Sequence, residues 1–185
     1  MPWNPATVTT TIDTTLGPVT LAATGAGLCG LWFHGQKHQP DTAAWRRDAR
    51  HPWLVQAGAE LTQFLHGART HFCVPLDLSA GSAFQQAVWR ALCQLPYGHT
   101  TTYGAIAQRL ERPTAARAVG AAVGRNPVSV IVPCHRVLAS SGALTGYAGG
   151  LDRKDALLRL EARGIAARLV PMGGAPATEP VTIAA

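Results

Sequence analysis

A thiol, an imidazole and a guanidinium stand side by side in the sequence, at Cys134, His135 and Arg136. A cysteine becomes a nucleophile when a neighbouring base or positive charge favours its thiolate form. Many free cysteines are instead small buried hydrophobic residues, and many histidines have only a structural role. The three neighbouring groups favour a nucleophilic Cys134 that His135 or Arg136 activates.

The residues before Cys134 predict a rigid support for the thiol. Residues 128–132 read Val-Ser-Val-Ile-Val, and a run so rich in β-branched side chains is typical of a buried strand. Pro133 has no backbone N–H and a fixed φ, so regular pairing is expected to stop there. We therefore expect Cys134 at the edge of a core, firmly held but reachable.

The first part of the chain, up to about residue 78, predicts an α+β module without a catalytic constellation. Its candidate strands cover residues 7–14, 19–23, 28–33 and 72–78, and the turn at Gly17-Pro18 joins the first two as a hairpin. Leucines at helical spacing predict a helix over 54–65 that Gly67 ends. The polar residues 37–51 predict a surface loop.

The second part predicts a mainly helical domain. Ser82 can cap a helix that ends at Pro96-Tyr97-Gly98. Residues 100–110 and 115–124 then predict two short helices, the second capped by Thr114, and this order is typical of a helix-turn-helix. The second helix has one long polar side chain, Arg117, so it suits contact with phosphates and groove shape better than reading of base edges. Tight packing of its Ala and Gly residues on a core is the alternative.

A glycine-rich stretch over residues 139–150 predicts a mobile or closely approached loop, and a last helix is expected over 152–163, ended by Gly164. Within that helix Glu161 shares a face with Leu157 and Leu158. If the leucines face the core, the carboxylate does too and needs a partner, for which His135 is the candidate.

The predicted organisation is an α+β fold in two domains. Residues 1–80 form an α/β module with a small antiparallel sheet, and residues 81–168 carry the helix-turn-helix and Cys134. From about residue 170 the Pro, Gly, Ala and Thr content predicts disorder, so 169–185 is expected to be a tail.

Composition points to an anionic partner and a reducing compartment. The 185 residues carry 16 Lys and Arg against 10 Asp and Glu, a net charge of +6, which makes nucleic acid the first candidate. The 4 cysteines contain no CxxC pair, so reduced thiols in a cytosolic or nuclear protein are expected. Cys29, His34 and His38 match no zinc pattern, and we predict neither metal nor cofactor. The first residues do not resemble a signal peptide, and no apolar run could span a bilayer.

The stretch Pro133-Cys134-His135-Arg136-Val137 resembles the active-site signature of the O6-alkylguanine-DNA alkyltransferases, and matching motifs extend over residues 84–164. The resemblance implies that Cys134 irreversibly accepts the alkyl group of O6-alkylguanine, and of O4-alkylthymine, after the base is flipped out of double-stranded DNA. It further implies that His135 and Glu161 activate Cys134 through a bound water, and that the protein acts in the cytoplasm as a monomer without a cofactor.

The same resemblance assigns residues to DNA and to the base. Tyr103, in Thr-Tyr-Gly, crowds a phosphate and can protonate the leaving purine, Arg117 fills the vacated stack, and Asn126 is the hinge asparagine. The remaining residues expected at DNA are Ala116, Ala118, Gly120, Arg136 and Ser140. Those expected in the base pocket are Val137, Tyr147 and Ala148. Many relatives have Ser or Gly where Ala148 stands, so a side-chain hydrogen bond is not expected there.

Two other functions fit parts of the pattern. A thiol hydrolase or acyltransferase could use Cys134 and His135, but it would need an oxyanion hole and a hydrolysable thioester. A non-catalytic DNA-lesion binder of the alkyltransferase-like kind lacks the acceptor cysteine, whereas this chain has Cys134.

Overall fold

The structure is a computed structural model that describes residues 3–169. In chain order the strands are β1 Val8–Ile12, β2 Val19–Thr24, β3 Gly27–Phe33, β4 Arg46–Arg47, β5 Thr101–Thr102 and β6 Val137–Leu138. The helices are α1 Pro52–Leu65, α2 Ala83–Cys93, α3 Tyr103–Arg109, α4 Ala116–Gly124 and α5 Leu151–Leu169. This arrangement confirms the predicted α+β class. No helix within the described residues is long and apolar enough to cross a membrane.

The N-terminal sheet has the order β3-β2-β1-β4. The hairpin of β1 and β2 and its antiparallel neighbour β3 are confirmed, but the sheet is mixed because β4 pairs parallel to β1. The expected loop over 37–51 thus contains a short strand. The strand expected over 72–78 is wrong: a single bridge joins Leu76 to Leu28, since the segment meets the sheet edge only there.

Local signals placed the first two helices correctly. Pro52 opens α1, where its missing N–H costs nothing, and Gly67 follows the helix with a φ of +75°. Ser82 and Gln85 form a capping box at the start of α2: the Ser82 hydroxyl accepts from the Gln85 N–H, and the Gln85 side chain accepts from the Ser82 N–H. These caps fix where α2 begins, directly after the short linker 79–82.

The helix-turn-helix consists of α3, a 3₁₀ turn at Pro113–Ala115, and α4. The hydroxyl of Thr102 accepts from the Ala105 N–H and caps α3. The cap expected at Thr114 is wrong, because the 3₁₀ turn takes up that residue and α4 starts without a side-chain cap. The indole N–H of Trp89 donates to the carbonyl of Ala122 at 2.9 Å, which joins α2 to α4.

The strand expected over residues 128–132 is also wrong. The segment is buried but folds back as a turn, with Val132 N–H donating to Val128 C=O at 2.9 Å. Val130 has a φ of +71°, which a β-branched residue rarely adopts. A segment buried on all sides needs apolar residues whether it is a strand or a turn. The apolar run therefore predicted burial correctly but did not determine the backbone conformation. The turn joins the free edge of β3 through a bridge between Val128 and Leu31.

The last helix is longer than expected. α5 continues through Gly164 to Leu169. The glycine is needed for close packing and not as a helix end, because a Cβ there would lie 2.5 Å from the Tyr97 hydroxyl. The tail predicted over 169–185 lies outside the described residues apart from Leu169, which ends α5. Buried side chains from β1 to α5 form one continuous core, so both parts of the chain support Cys134 from behind.

Candidate alkyl-acceptor site

Cys134 begins a 3₁₀ turn, Cys134–Arg136, that starts directly after Pro133. Its side chain is 4% exposed, so the expectation of a reachable thiol at the edge of the core is wrong: the thiol is almost fully covered. Burial raises the pKa of Cys134 to about 11, against a hydrogen bond from Asn126 and the positive charge of Lys154, which both lower it. Turning this thiol into a thiolate therefore requires help from its neighbours.

Asn126 fixes the turn and touches the thiol. Its amide N–H group donates to the Cys134 Sγ at 3.0 Å and to the Val132 carbonyl at 2.8 Å, while its carbonyl accepts from the Val128 N–H at 3.0 Å. The side chain is buried, so these bonds are shielded from water. Asn126 thus holds the unusual turn before Cys134 and offers a donor that favours the thiolate.

His135 and Glu161 lie in contact, as the helix-face argument predicted. The Nε2 of His135 lies 2.8 Å from Glu161 Oε1, and both residues have no exposed surface. A carboxylate partner keeps a proton on Nε2, which leaves Nδ1 as the basic nitrogen, and Nδ1 is buried without a hydrogen-bond partner in the described part of the chain. Burial lowers the pKa of His135 more than Glu161 raises it, so the ring is neutral and can accept a proton.

Glu161 accepts several hydrogen bonds. The Gly98 N–H donates to its Oε2 at 2.9 Å, and Arg136 donates through Nε and Nη2 at 2.9–3.1 Å. Gly98 is required there because its φ is +72° and a Cβ would lie 2.1 Å from Ile165. Burial would raise the pKa of Glu161, but hydrogen bonds from His135 and Arg136 lower it to about 2. The carboxylate is therefore charged at neutral pH.

Arg136 does not lie where a DNA contact was expected. Its side chain is buried, with Nη1 donating to the Leu95 carbonyl at 2.7 Å and the other nitrogens bound to Glu161. The buried carboxylate of Glu161 draws the guanidinium inward, because an unpaired charge there would be costly. We correct the role of Arg136 from a DNA contact to an anchor of Glu161.

Lys154 is a site residue that the sequence reasoning missed. Its buried Nζ donates to the Val137 carbonyl at 2.6 Å and to the Thr145 carbonyl at 2.7 Å. A signal was present, since Lys154 precedes Glu161 by seven residues and so shares its helix face. The 3₁₀ turn Cys134–Arg136 is called the acceptor turn below. The two hydrogen bonds of Lys154 join β6, which follows the acceptor turn, to the loop 139–150.

The loop 139–150 carries two of the predicted pocket residues, and one of them, Tyr147, interacts electrostatically with Cys134. Tyr147 is buried, and its hydroxyl makes no hydrogen bond of normal geometry with the described residues. The Ala148 carbonyl accepts from the Lys37 N–H at 3.0 Å, which ties the loop to the N-terminal part. Val137, the third pocket residue, is buried directly after the acceptor turn, whereas Ser140 is exposed.

The residues predicted for DNA gather at the start of α4. Arg117 and Ala118 are exposed, Ala116 is half-buried, and the guanidinium of Arg117 makes no hydrogen bond or ion pair with any described residue. Tyr103 lies beside Gly120: a Cβ on that glycine would be 3.7 Å from the tyrosine ring. Burial raises the pKa of Tyr103, as does the charge of Cys134, so its hydroxyl holds its proton near the thiol.

No group of three or more potential metal ligands occurs among residues 3–169. Residues 7–78 match the family model described as the ribonuclease-like domain of 6-O-methylguanine DNA methyltransferase, and residues 83–163 match its DNA-binding domain. A methylated-DNA–protein-cysteine methyltransferase of Mycobacterium tuberculosis is 48% identical over 152 residues, covering 82% of this chain and 90% of the relative. The chain belongs to this methyltransferase family.

Other members agree with that assignment. The inducible methylated-DNA–protein-cysteine methyltransferase of Bacillus subtilis is 44% identical over 158 residues, covering 78% of this chain and 86% of that protein. A crystal structure of Mycobacterium tuberculosis OGT in complex with DNA superposes with a TM-score of 0.79 at 46% identity, covering 85% of this chain and 94% of that one. The sequence resemblance to the alkyltransferases is thereby confirmed, and the two family models extend it over residues 7–78 and 83–163.

Proposed function

We propose that this methyltransferase repairs double-stranded DNA by moving the alkyl group of O6-alkylguanine to the Sγ of Cys134, once per protein molecule. The observation that carries the proposal is the buried pair of His135 and Glu161, which presents a neutral imidazole beside a thiol already bonded to Asn126. Family membership supplies the substrate class, since the similar proteins are named for methylated DNA.

The chemistry needs one proton to leave Cys134 and another to reach guanine. The Cys134 Sγ accepts a hydrogen bond from Asn126 and makes none with the imidazole of His135. The thiol proton therefore passes to His135 Nδ1 through a bridging water. Glu161 then stabilises the imidazolium that forms. The thiolate attacks the alkyl carbon, the S–C bond forms as the C–O6 bond breaks, and the electron pair stays on guanine, which takes a proton from the Tyr103 hydroxyl.

A thioether product explains why the reaction stops after one turn. It has no acyl carbon for water to attack, so the alkyl group stays on the Cys134 Sγ. A thiol hydrolase would need a thioester and an oxyanion hole, and the donor that faces Sγ is the Asn126 amide, which also serves the turn. We therefore favour alkyl transfer over hydrolysis.

The covered position of Cys134 requires that the base be extruded from the duplex before it can react. We propose that the free guanidinium of Arg117 fills the space that the extruded base leaves in the stack, and that Tyr103 displaces a phosphate beside it. The small residues Ala116, Ala118 and Gly120 let α4 approach the groove closely, and the exposed Ser140 lies on the same loop as the base pocket.

We assign the pocket walls to Val137, Tyr147 and the backbone at Ala148. The Ala148 side chain is a methyl group without a donor or acceptor, so recognition there uses the main chain, whose carbonyl already accepts from the Lys37 N–H. O4-alkylthymine presents a similar exocyclic oxygen and is proposed as a second substrate. We also propose that the chain acts as a cytoplasmic monomer whose working units are residues 1–80 and 81–168.

The test is to incubate the protein with duplex DNA that contains one O6-methylguanine and to weigh the intact protein. We expect a gain of one methyl group, mapped to Cys134, and one repaired guanine per molecule at most. Repair of many guanines per molecule, or an adduct that water removes, would contradict the proposal. DNA binding without any gain in mass would instead indicate a lesion binder.

A further inference from the structure

A buried lysine next to the acceptor takes no part in the steps proposed above. The side chain of Lys154 has no exposed surface, and its Nζ donates to the carbonyls of Val137 and Thr145 at 2.6 and 2.7 Å. An ammonium group has three donors, so these two bonds leave one for another acceptor. Lys154 is thus a buried cation with unused hydrogen-bonding capacity.

No carboxylate among the described residues forms an ion pair with Lys154. A buried charge without an ion-pair partner is costly, so a negative charge that forms beside Lys154 during the reaction would be stabilised by it. The acidic group that interacts with it electrostatically is the Cys134 thiol: the positive charge of Lys154 lowers the pKa of Cys134, and a thiolate there raises the pKa of Lys154, which burial lowers.

The other titratable groups around the thiol do not provide a negative charge for Lys154. Tyr103 from α3 and Tyr147 from the loop both have raised pKa values, first through burial, and stay neutral. His135 is neutral because burial lowers its pKa. Glu161 lies on the same face of α5, but its oxygens are bound to His135, Arg136 and Gly98.

The position of Lys154 on α5 adds a mechanical role. Seven residues apart on one face, Glu161 holds the acceptor turn at His135 and Arg136, while Lys154 holds the residue that follows the turn, Val137. Through the Thr145 carbonyl, the same ammonium ties the loop 139–150 to that point. One helix therefore holds both the acceptor turn and the loop 139–150.

We propose that Lys154 is a positioning residue for alkyl transfer: its ammonium is the counter-charge of the Cys134 thiolate and fastens the loop 139–150, which carries Tyr147 and Ala148, to the strand that leaves the acceptor turn. The effect on DNA repair rests on the proposed function, whereas the effect on the thiol does not. The covalent step is unchanged, since Lys154 neither gives nor takes a proton.

The test follows the pH dependence of Cys134 alkylation by iodoacetamide, read by peptide mass mapping so that the other cysteines do not interfere. Lys154→Met keeps an unbranched side chain that is one atom shorter, and it removes the charge together with the donors to Val137 and Thr145. We expect the pH profile to move upward by at least one pH unit, and alkylation at neutral pH to slow about tenfold or more. Transfer from methylated duplex DNA should slow at least as much, with DNA affinity within about twofold of the original.

Arg153→Met is the matched control. Arg153 is the neighbouring cation on α5 and ties the other end of the loop, donating to the Gly149 carbonyl at 2.8 Å, but its guanidinium also donates to the Leu16 carbonyl and lies over the Phe33 ring. We expect this variant to leave the pH profile of Cys134 in place. Equal shifts in both variants would reduce Lys154 to a loop anchor and overturn the counter-charge.

Lys154→Met could unfold the protein, so a second pair of variants decides that case. Lys154→Arg and Lys154→Gln can both donate to the two carbonyls, but only arginine keeps the charge. Retention of the original profile by Arg and its loss by Gln supports the proposal, and identical profiles overturn it. If the unchanged protein gains no methyl group from DNA, the proposed function fails, while the iodoacetamide profiles still decide the role of Lys154.

Discussion

Within residues 3–169, each half of the molecule buries one glutamate on a helix and has a cysteine near it. In the N-terminal half Glu60 of α1 accepts from the N–H groups of Cys73 and Val74 at 2.8 and 3.3 Å, and Arg69 lies 3.8 Å away. In the C-terminal half Glu161 of α5 binds His135, Arg136 and the Gly98 N–H. Both carboxylates are almost fully buried, so burial alone does not separate them.

The difference lies in the group between the carboxylate and the thiol. At Cys73 that group is Arg69, whose Nη1 is 3.9 Å from the Sγ, and a guanidinium cannot accept a proton at any ordinary pH. Beside Cys134 it is a neutral imidazole with a free nitrogen. A buried glutamate next to a cysteine is therefore a fold anchor at Glu60 and part of a proton relay at Glu161.

The largest effect should come from the thiols themselves. Cys134→Ala is expected to abolish methyl transfer while leaving DNA binding intact, because the acceptor atom is gone and the turn keeps its shape. Cys73→Ala should transfer at the original rate. Intact-mass measurement after exposure to methylated duplex DNA checks both variants. Methyl groups on Cys29, Cys73 or Cys93 in Cys134→Ala would show that another thiol is the acceptor.

Substitution of the two buried glutamates should affect alkyl transfer just as differently. Glu161→Gln keeps the shape of the side chain but removes the charge that stabilises imidazolium, so we expect alkyl transfer about a hundredfold slower. Glu60→Gln should transfer at nearly the original rate and lose about 1–3 kcal/mol of stability, since it weakens two backbone bonds. Single-turnover rates and urea unfolding measure the two quantities.

A variant Glu161→Gln that folds normally and keeps the pH profile of Cys134 would make Glu161 an anchor like Glu60. The same variant should leave DNA affinity close to the original, because Glu161 is buried away from α4. Loss of DNA binding together with activity would indicate that the carboxylate holds the fold of the whole C-terminal half.

The comparison also shows which features a sequence can reveal. Helical spacing was enough to turn Glu161 inward, and capping rules were enough to begin α2 at Ser82, because both depend on residues within two turns. The turn over residues 128–132 could not be foreseen, since its shape is set by the Asn126 side chain and by a left-handed Val130. The burial of Arg136 followed from the position of Glu161, which lies 25 residues away.

Acid should act on the glutamate of the relay in a defined window. The pKa of Glu161 falls from 4.5 to about 2 in the folded state, so its contribution to stability is complete above pH 4.5 and is lost as the pH falls toward 2. The difference in unfolding free energy between the original protein and Glu161→Gln should shrink by about 2 kcal/mol over this range. Urea unfolding at a series of pH values measures it, and a constant difference would contradict the low pKa.

The smallest effect should come from Arg117, which is proposed to act on DNA and not on chemistry. Arg117→Ala removes the side chain assigned to the vacated stack, so repair of duplex DNA is expected to slow about tenfold, which is a part of the few kcal/mol that base extrusion costs. Transfer from free O6-methylguanine should be unchanged, because a free base leaves no vacancy. Arg90→Ala is the matched control: it removes one exposed arginine from α2 and so changes the net charge equally.

The measurement compares the rates on duplex DNA and on the free base for both variants at several salt concentrations, since phosphate contacts alone would weaken with salt. Equal losses on the two substrates would move Arg117 from DNA handling to folding or chemistry, and equal losses in Arg90→Ala would reduce its role to charge.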